Sequence, residues 1–149
     1  MGVKSYGGAI GNFIFADVCS GDTKSMLYAK KSQFPDLLER YLIGVLALQY
    51  VVRIVRLDGD AVNISARVEQ ICVGYGVVLQ PMSAGTPQEN GFAEKVVGDC
   101  TRIARALMLG APHIKRNRWG AAYNYGDKVN AVLPKVSKHG KTPYEIIHL

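Results

Sequence analysis

The apolar positions of this chain fall into short runs near the N-terminus and into helix-like repeats further on. One apolar run covers residues 13–18, and a second lies within residues 24–30 after the turn-formers Ser20-Gly21-Asp22. Two short apolar runs joined by turn-forming residues are typical of a β-hairpin. The pattern therefore predicts a hairpin of two strands before any helix.

A helix and a strand are predicted next. Pro35 stands where a first helical turn accepts proline, and the apolar residues after it recur at helical spacing: Leu37, Leu38, Tyr41, Leu42, Val45 and Leu46. Residues 51–57 are rich in β-branched side chains and alternate in polarity, which favours a strand. That strand would carry Asp58 at its C-terminal end.

The second half of the chain predicts more helices than strands. We expect a helix at about 63–75, a short strand at 77–81, a mobile loop at 83–91, a long helix at about 92–109 and a further helix from Trp119. Residues 134–149 are basic and rich in turn-formers. No repeat or linker interrupts the chain, so the pattern predicts one α/β domain over 1–149, with a mixed sheet flanked by helices.

Positive charge is concentrated toward the C-terminus. The formal net charge is +6, and residues 92–149 carry ten basic and four acidic side chains against eight of each in residues 1–91. A basic surplus suits an anionic partner but does not identify one. The whole surplus of positive charge lies in the C-terminal part of the chain.

Several classes of protein are disfavoured. Cys19, Cys72 and Cys100 have no close pair, so neither a disulfide framework nor a zinc knuckle is indicated. The apolar run 41–52 is shorter than the roughly 20 residues of a membrane-spanning helix, and no signal-peptide core follows Met1. We expect no membrane partner and an intracellular protein that is not secreted.

Two carboxylates are candidates for metal chemistry. Divalent Mg²⁺ or Mn²⁺ prefers oxygen ligands, and phosphoryl transfer with two metals needs carboxylates brought together from separate elements. Asp58 at a strand end and Glu94 in the first turn of a helix would lie on one rim of a sheet. Taken singly, Asp58 also fits a strand-end turn and Glu94 a solvated helix N-terminus.

The spacing of these two acids resembles the Asp-x35-Glu signature of retroviral and retrotransposon integrases. Thirty-five residues separate Asp58 from Glu94, and Thr86-Pro-Gln-Glu-Asn-Gly precedes the glutamate. The Val55-Arg-Leu-Asp-Gly segment resembles the strand that carries the second catalytic aspartate. Lys141-Thr-Pro-Tyr-Glu and Trp119 resemble features of the copia-type branch. The resemblance spans residues 7–145.

The resemblance implies an RNase H-like fold that cuts and joins DNA with Mg²⁺ or Mn²⁺. In that family three strands precede the first helix, and the first catalytic aspartate lies on the opening strand. Only two strands are predicted here, so the first strand and its carboxylate would be missing and the domain incomplete at its N-terminus. Asp17 matches a non-catalytic family position, although it could also be read as the first ligand. The nucleus or an element particle would be the expected location.

Departures from the family pattern predict impaired catalysis. After Asp58 this sequence has Gly59-Asp60-Ala61-Val62 where the family usually has Asn-Gly-Gly-Glu, and Val97-Gly98 stands where Asn-Arg is common. Two further hypotheses therefore stay open: an inactive DNA-binding or dimerising module, and, less favoured, an unrelated small α/β enzyme.

Basic residues of the long helix are the candidate DNA contacts. Helical spacing separates an apolar stripe, at Val96, Cys100, Ile103 and Leu107, from a line formed by Glu94, Gly98, Thr101 and Arg105. The resemblance implies that Lys95, Arg102 and Arg105 meet DNA phosphates, although an ordinary solvated surface explains them as well. The same two readings apply to two further clusters: Lys115, Arg116 and Arg118, then Lys135, Lys138 and Lys141. The expected partners are DNA and a second copy of the chain, and the three histidines read as surface residues.

Overall fold

The computed structural model describes residues 3–57, 65–82 and 87–148. By its internal contacts the chain divides into two compact units, which are described separately. The first unit comprises Met1–Lys30 and Ala93–Leu149, and the second comprises Lys31–Phe92. Both contain strands and helices, so the class is mixed α/β, as predicted.

The first unit opens with the predicted hairpin. Strands β1 (Gly11–Ala16) and β2 (Thr23–Tyr28) pair antiparallel, with Gly11 opposite Tyr28 and Ala16 opposite Thr23. The Tyr28 ring covers Gly11 so closely that a Cβ there would lie 2.4 Å from the phenol oxygen. It also packs on Phe13, with ring centroids 4.5 Å apart. A side chain at Gly11 would therefore require the Tyr28 ring to move.

The helices of the first unit pack on this hairpin and on each other. Helix α4 (Trp119–Val132) lies against β2, and a Cβ at Gly120 would come within 2.7 Å of a Leu27 methyl group. Helix α3 (Pro87–Gly110) approaches α4 through Ile103, whose Cγ2 would meet a Cβ at Gly126 at 3.2 Å. The two small residues of α4 thus permit close contact on both sides. The predicted helix from Trp119 is confirmed.

The start of α3 corrects the sequence prediction. We expected a loop over residues 83–91, but the helix begins at Pro87, five residues before the predicted start at 92. This stretch is rich in loop-forming residues, so the prediction overlooked Pro87. Proline is favoured at the first position of a helix. Residues 83–86 lie outside the described part of the chain. Because the helix begins earlier, Glu94 lies about two turns into α3, not in its first turn.

The C-terminal segment, predicted to be basic and turn-rich, also contains a helix that was not predicted. This helix, α5 (Pro143–His148), begins with a reciprocal capping box. The Glu145 backbone N–H donates to Thr142 Oγ1 at 3.1 Å, and Glu145 Oε2 accepts from the Thr142 backbone N–H at 2.7 Å. The hydrogen bonds that the Glu145 carboxylate accepts from the Thr142 backbone N–H and from the Thr142 hydroxyl lower the pKa of Glu145. The Thr-Pro-Tyr-Glu motif therefore forms the N-terminal cap of α5.

The second unit contains the apolar core that the helical repeat predicted. Helix α1 (Phe34–Ala47) is followed by β3 (Ile54–Leu57), helix α2 (Ala66–Gly74) and β4 (Val78–Pro81). Strands β3 and β4 pair in parallel, with Ile54 opposite Val78 and Leu57 opposite Pro81. The buried apolar residues of this unit are Phe34, Leu37, Leu38, Leu42, Leu57, Val68, Ile71, Cys72 and Val77. The predicted helix, strand, helix and strand all form here, with α2 described from Ala66.

Two features bear on the exclusions made from the sequence. All three cysteines are free thiols, as expected. Among the residues that the structure describes, no helix has both the length and the apolar character needed to cross a bilayer.

Candidate active site and nucleic-acid interface

Glu94 presents an accessible carboxylate on α3. Its side chain is exposed, and no hydrogen bond or ion pair to it occurs within the described ranges. An exposed carboxylate without a protein partner can accept a cation, since its oxygens are hard donors. The exposed Glu94 carboxylate is therefore compatible with its predicted role as a metal ligand.

Asp58, the second predicted ligand, lies outside the described residues. The structure describes the strand that leads to it, because β3 ends at Leu57, which is only 9% exposed. Within residues 3–57, 65–82 and 87–148, no group of three or more His, Cys, Asp and Glu side chains is placed to hold a metal ion. The pairing of Asp58 with Glu94 thus stays a prediction from their spacing, and we derive no reaction step through a metal.

Asp17 is occupied as a turn residue at the end of β1. Its Oδ1 accepts the Cys19 backbone N–H at 3.2 Å, and its Oδ2 accepts the Ser20 backbone N–H at 2.7 Å and the Ser20 hydroxyl at 2.6 Å. The backbone N–H of Gly21, whose φ is +78°, donates to the Asp17 carbonyl at 2.8 Å. These hydrogen bonds close the hairpin turn and explain why an aspartate stands at position 17. They favour the interpretation that Asp17 is not a catalytic residue.

The three candidate DNA contacts of α3 are all solvent-exposed. Lys95, Arg102 and Arg105 lie on the outside of the helix, while Cys100 and Ala104 are buried. Arg102 forms an ion pair with Asp99 one turn earlier, which offsets part of its charge. The expected division of α3 into a packed side and an open side is present, and within the described residues Lys95 and Arg105 form no ion pair.

Thr101 does not belong to the open side. We expected it to share an exposed line with Glu94 and Arg105, but its hydroxyl lies 2.9 Å from the Tyr123 hydroxyl of α4. The residue is half-buried. Its hydroxyl connects two helices and is not available to a nucleic-acid backbone.

The two further basic clusters differ in their environment. Lys135 Nζ donates to Asn130 Oδ1, and Lys138 Nζ donates to the Val18 carbonyl at 2.9 Å, so both lysines tie the C-terminal segment to the hairpin turn and α4. Lys115, Arg116 and Arg118 are exposed, with no carboxylate partner in the described part of the molecule. Lys141 is exposed as well, so the two clusters differ in that all three side chains at 115–118 are exposed, whereas two of the three in the second cluster are half-buried.

Sequence reasoning missed a buried polar cluster in the first unit, formed by Asp127 and Asn130 of α4 with Thr23 and Ser25 of β2. Asp127 Oδ2 accepts the Ser25 backbone N–H at 2.6 Å, and its Oδ1 accepts the Thr23 and Ser25 hydroxyls at 3.1 Å each. Asn130 donates to Thr23 Oγ1 at 3.2 Å and to the Gly21 carbonyl at 3.1 Å. The signal available in the sequence was the helical spacing of three between Asp127 and Asn130, which puts both on one face.

Burial of this cluster changes its ionisation. Desolvation raises the pKa of Asp127, and the hydrogen bonds from Ser25 and Thr23 lower it by less. Desolvation also raises the pKa of Asp22, with a further contribution from the charge of Asp127. The cluster positions α4 on β2, and it lies within the packing of the unit, so we assign it a structural role.

The histidines are surface residues, as expected. His113, His139 and His148 are all exposed. The His148 ring packs on Tyr144 one turn earlier in α5, with centroids 4.4 Å apart. His139 adopts a left-handed conformation, with φ of 55°, after a short 3₁₀ turn at Val136–Lys138.

Known structures show the fold. No protein-family model matches the sequence. The magnesium complex of the HTLV-2 integrase catalytic core domain, in its trimeric form, aligns with a TM-score of 0.70 and 17% identity, covering 92% of this chain and 84% of that one. The catalytic core domain of BIV integrase aligns with a TM-score of 0.65 and 19% identity, covering 91% and 84%.

A larger assembly gives the same result. The simian T-cell lymphotropic virus intasome, in complex with a PP2A regulatory subunit, aligns with a TM-score of 0.74 and 14% identity over 91% of this chain and 47% of that one. Likeness at this level of identity carries information about architecture and not about activity. This chain therefore has the RNase H-like fold of integrase catalytic cores.

Proposed function

We propose that this chain is an integrase-core domain of a copia-type retrotransposon that acts in DNA integration. The observation that carries the proposal is the integrase-core fold over at least 91% of the chain, in a sequence that also has the Asp-x35-Glu spacing. In intact relatives this implies metal-dependent phosphodiester cleavage and strand transfer. Residues 1–149 would form a single domain that acts in the nucleus or in an element particle.

Asp58 and Glu94 are the residues that would hold Mg²⁺ or Mn²⁺. When bound, the metal would stabilise charge on the attacking and leaving oxygens of a phosphodiester. The chain's own contribution is an accessible Glu94 carboxylate on α3. Lys95 and Arg105 on the same helix would position DNA through its phosphates, since such contacts orient the duplex without reading its sequence. A second copy of the chain is a further expected partner.

Catalysis by this chain is expected to be impaired. Within the described residues Asp17, the alternative first ligand, is engaged in turn closure through both carboxylate oxygens. Two carboxylates would hold two metal ions poorly, because each ion needs several oxygen ligands. We therefore propose an integration domain whose cleavage and strand-transfer activity is impaired.

A strand-transfer assay tests this expectation. With labelled duplex ends and Mg²⁺, we expect the wild-type chain to give no more product than the Asp58→Asn variant. Glu69→Gln removes an exposed acid of α2 that has no proposed role and serves as the matched control. Product well above background that disappears in Asp58→Asn but persists in Glu69→Gln would contradict impaired catalysis, while it would support the metal site.

The second candidate function is a DNA-binding or dimerising module without chemistry. It is favoured by the exposed, uncompensated cations at residues 115–118. This alternative predicts duplex binding that weakens with salt and is indifferent to both Asp58→Asn and metal chelation. Binding that requires Mg²⁺ and the Asp58 carboxylate would instead favour the integrase proposal.

A further inference from the structure

The segment before β1 is fixed against the turn that precedes α4. The Tyr6 backbone N–H donates to the Asn117 carbonyl at 2.7 Å, and Trp119 Nε1 donates to the Val3 carbonyl at 2.8 Å. Buried Ser5 closes a tight loop, because its backbone N–H donates to the Ala9 carbonyl at 2.8 Å and its hydroxyl accepts the Ala9 N–H at 3.0 Å. Two stretches more than 100 residues apart in sequence thus form one surface.

An arginine and a tyrosine stack at the centre of this surface. The Arg118 guanidinium carbon lies 3.9 Å from the centroid of the Tyr6 ring, and Tyr6 is 72% exposed. A stacked guanidinium is held in one orientation, while the N–H groups at its edge stay available to an acceptor. Such a fork matches the oxygens of a phosphate group.

The surroundings of the stack carry positive charge without a balancing acid. Lys4, Lys115, Arg116 and Arg118 are all exposed, and none has a carboxylate partner in the described part of the chain. The sequence contains no Asp or Glu in residues 1–16 or in residues 100–126. Lys4 lies two residues before Tyr6, and the other three cations lie within residues 115–118, the segment that is hydrogen-bonded to it, so this part of the surface carries positive charge that favours binding of an anion.

We propose that the Arg118–Tyr6 stack, together with Lys4, Lys115 and Arg116 from the same two hydrogen-bonded segments, forms a second DNA-binding surface that contacts phosphates, in addition to the candidate contacts on α3. We name it the Tyr6 surface. A nucleic-acid backbone is favoured over an acidic peptide because two arginine forks and an exposed aromatic ring suit phosphate and sugar. The acid-free stretch also continues along the sequence from the outer cations of α3. The Tyr6 surface rests on the proposed DNA partner but is independent of any metal site.

Equilibrium binding of a short labelled duplex in EDTA tests the proposal. The test variant, Lys115→Gln/Arg116→Gln/Arg118→Gln, is compared with Lys31→Gln/Arg40→Gln/Arg53→Gln, which removes the same charge at exposed positions of the second unit. We expect the test variant to bind at least about 10-fold more weakly at physiological salt and to lower the slope of log Kobs against log salt by roughly 2–3, at about 0.9 per phosphate contact. The control should change affinity by less than about threefold.

Three comparisons can overturn the proposal. Equal weakening in the test and control variants would show that only net charge matters, and no weakening in the test variant would exclude the surface. If the test variant lost as much binding to polyglutamate or to anionic lipid vesicles as to DNA, the surface would be a general anion-binding site and not a DNA-binding one. Lys115→Gln/Arg116→Gln leaves the Arg118 stack intact, so it answers the same question if the triple variant unfolds.

Metal chelation separates this result from the proposed function. Strand transfer can fail while the Tyr6 surface binds DNA in EDTA, and that outcome supports the surface alone. Arg118→Lys keeps the charge but loses the planar fork, so we expect it to weaken binding by about threefold with an unchanged salt slope. An Arg118→Lys variant that binds like wild type would show that the stack contributes nothing.

Discussion

Replacement of Asp127 by alanine is expected to destabilise the protein by about 3 kcal/mol, because three hydrogen bonds are lost and the Ser25 backbone N–H is left buried without its acceptor. Asp127 is only 8% exposed, so water cannot readily replace the carboxylate. For a chain of this length the midpoint of thermal unfolding should fall by roughly 10 °C. Differential scanning calorimetry at neutral pH measures the change.

Asp127→Asn is the matched control. The asparagine carbonyl can accept the Ser25 N–H while its amide donates to the Thr23 and Ser25 hydroxyls, so we expect a loss of less than about 1 kcal/mol. Because burial raises the pKa of Asp127, its ionisation costs stability as pH rises through that folded-state pKa, and this cost is absent below the unfolded value of 3.8. The asparagine variant should lack this dependence. Equal destabilisation by alanine and asparagine would contradict the hydrogen-bonding account.

The second large effect is expected in the apolar core of the second unit. Leu38 on α1 is 0% exposed, and Leu38→Ala should cost about 3 kcal/mol of unfolding free energy through lost burial and a cavity. Ile43→Ala, at a position of the same helix that is 51% exposed, should stay within about 0.5 kcal/mol of wild type. Urea denaturation distinguishes them. Similar losses in both variants would show that the core of this unit is not where the burial pattern places it.

Local patterns in the sequence predicted much of the fold. The apolar repeat from Leu37 to Leu46 predicted α1, the alternation before Asp58 predicted β3, and turn-formers at Ser20-Gly21-Asp22 predicted the hairpin. These signals succeed because helix and strand periodicity depend on nearby residues alone. The integrase-core fold was then predicted from a spacing and three motifs.

The failures have physical causes that a periodicity argument does not contain. Helix α5 was missed because its start depends on one capping interaction between Thr142 and Glu145, in a segment that otherwise resembles a turn. Asp127 was missed because acids on helices are usually exposed, and its burial depends on partners about 100 residues away. Contacts between distant segments cannot be derived from local pattern, and the same holds for Tyr6 on Arg118.

The candidate site was predicted to a smaller extent than the fold. The structure gives Glu94 an accessible carboxylate and gives Lys95 and Arg105 exposed positions, as the sequence led us to expect. It shows that Thr101 is not on the open side, because its hydroxyl lies against the Tyr123 hydroxyl, and that Lys135 and Lys138 form hydrogen bonds within the first unit. The meeting of Asp58 with Glu94 stays a prediction, since it depends on long-range folding around residues outside the described ranges.

A double-mutant cycle of Mn²⁺ binding tests whether Asp58 and Glu94 share one cation. Titration is followed by the paramagnetic signal of free Mn²⁺ for wild type, Asp58→Asn, Glu94→Gln and the double variant, with Glu69→Gln as the control. We predict that each single change weakens binding by at least about 10-fold and that the double variant is little weaker than either, because neighbouring residues of one site are coupled. Independent, additive losses, or Mn²⁺ affinity unchanged in both single variants, would contradict the account.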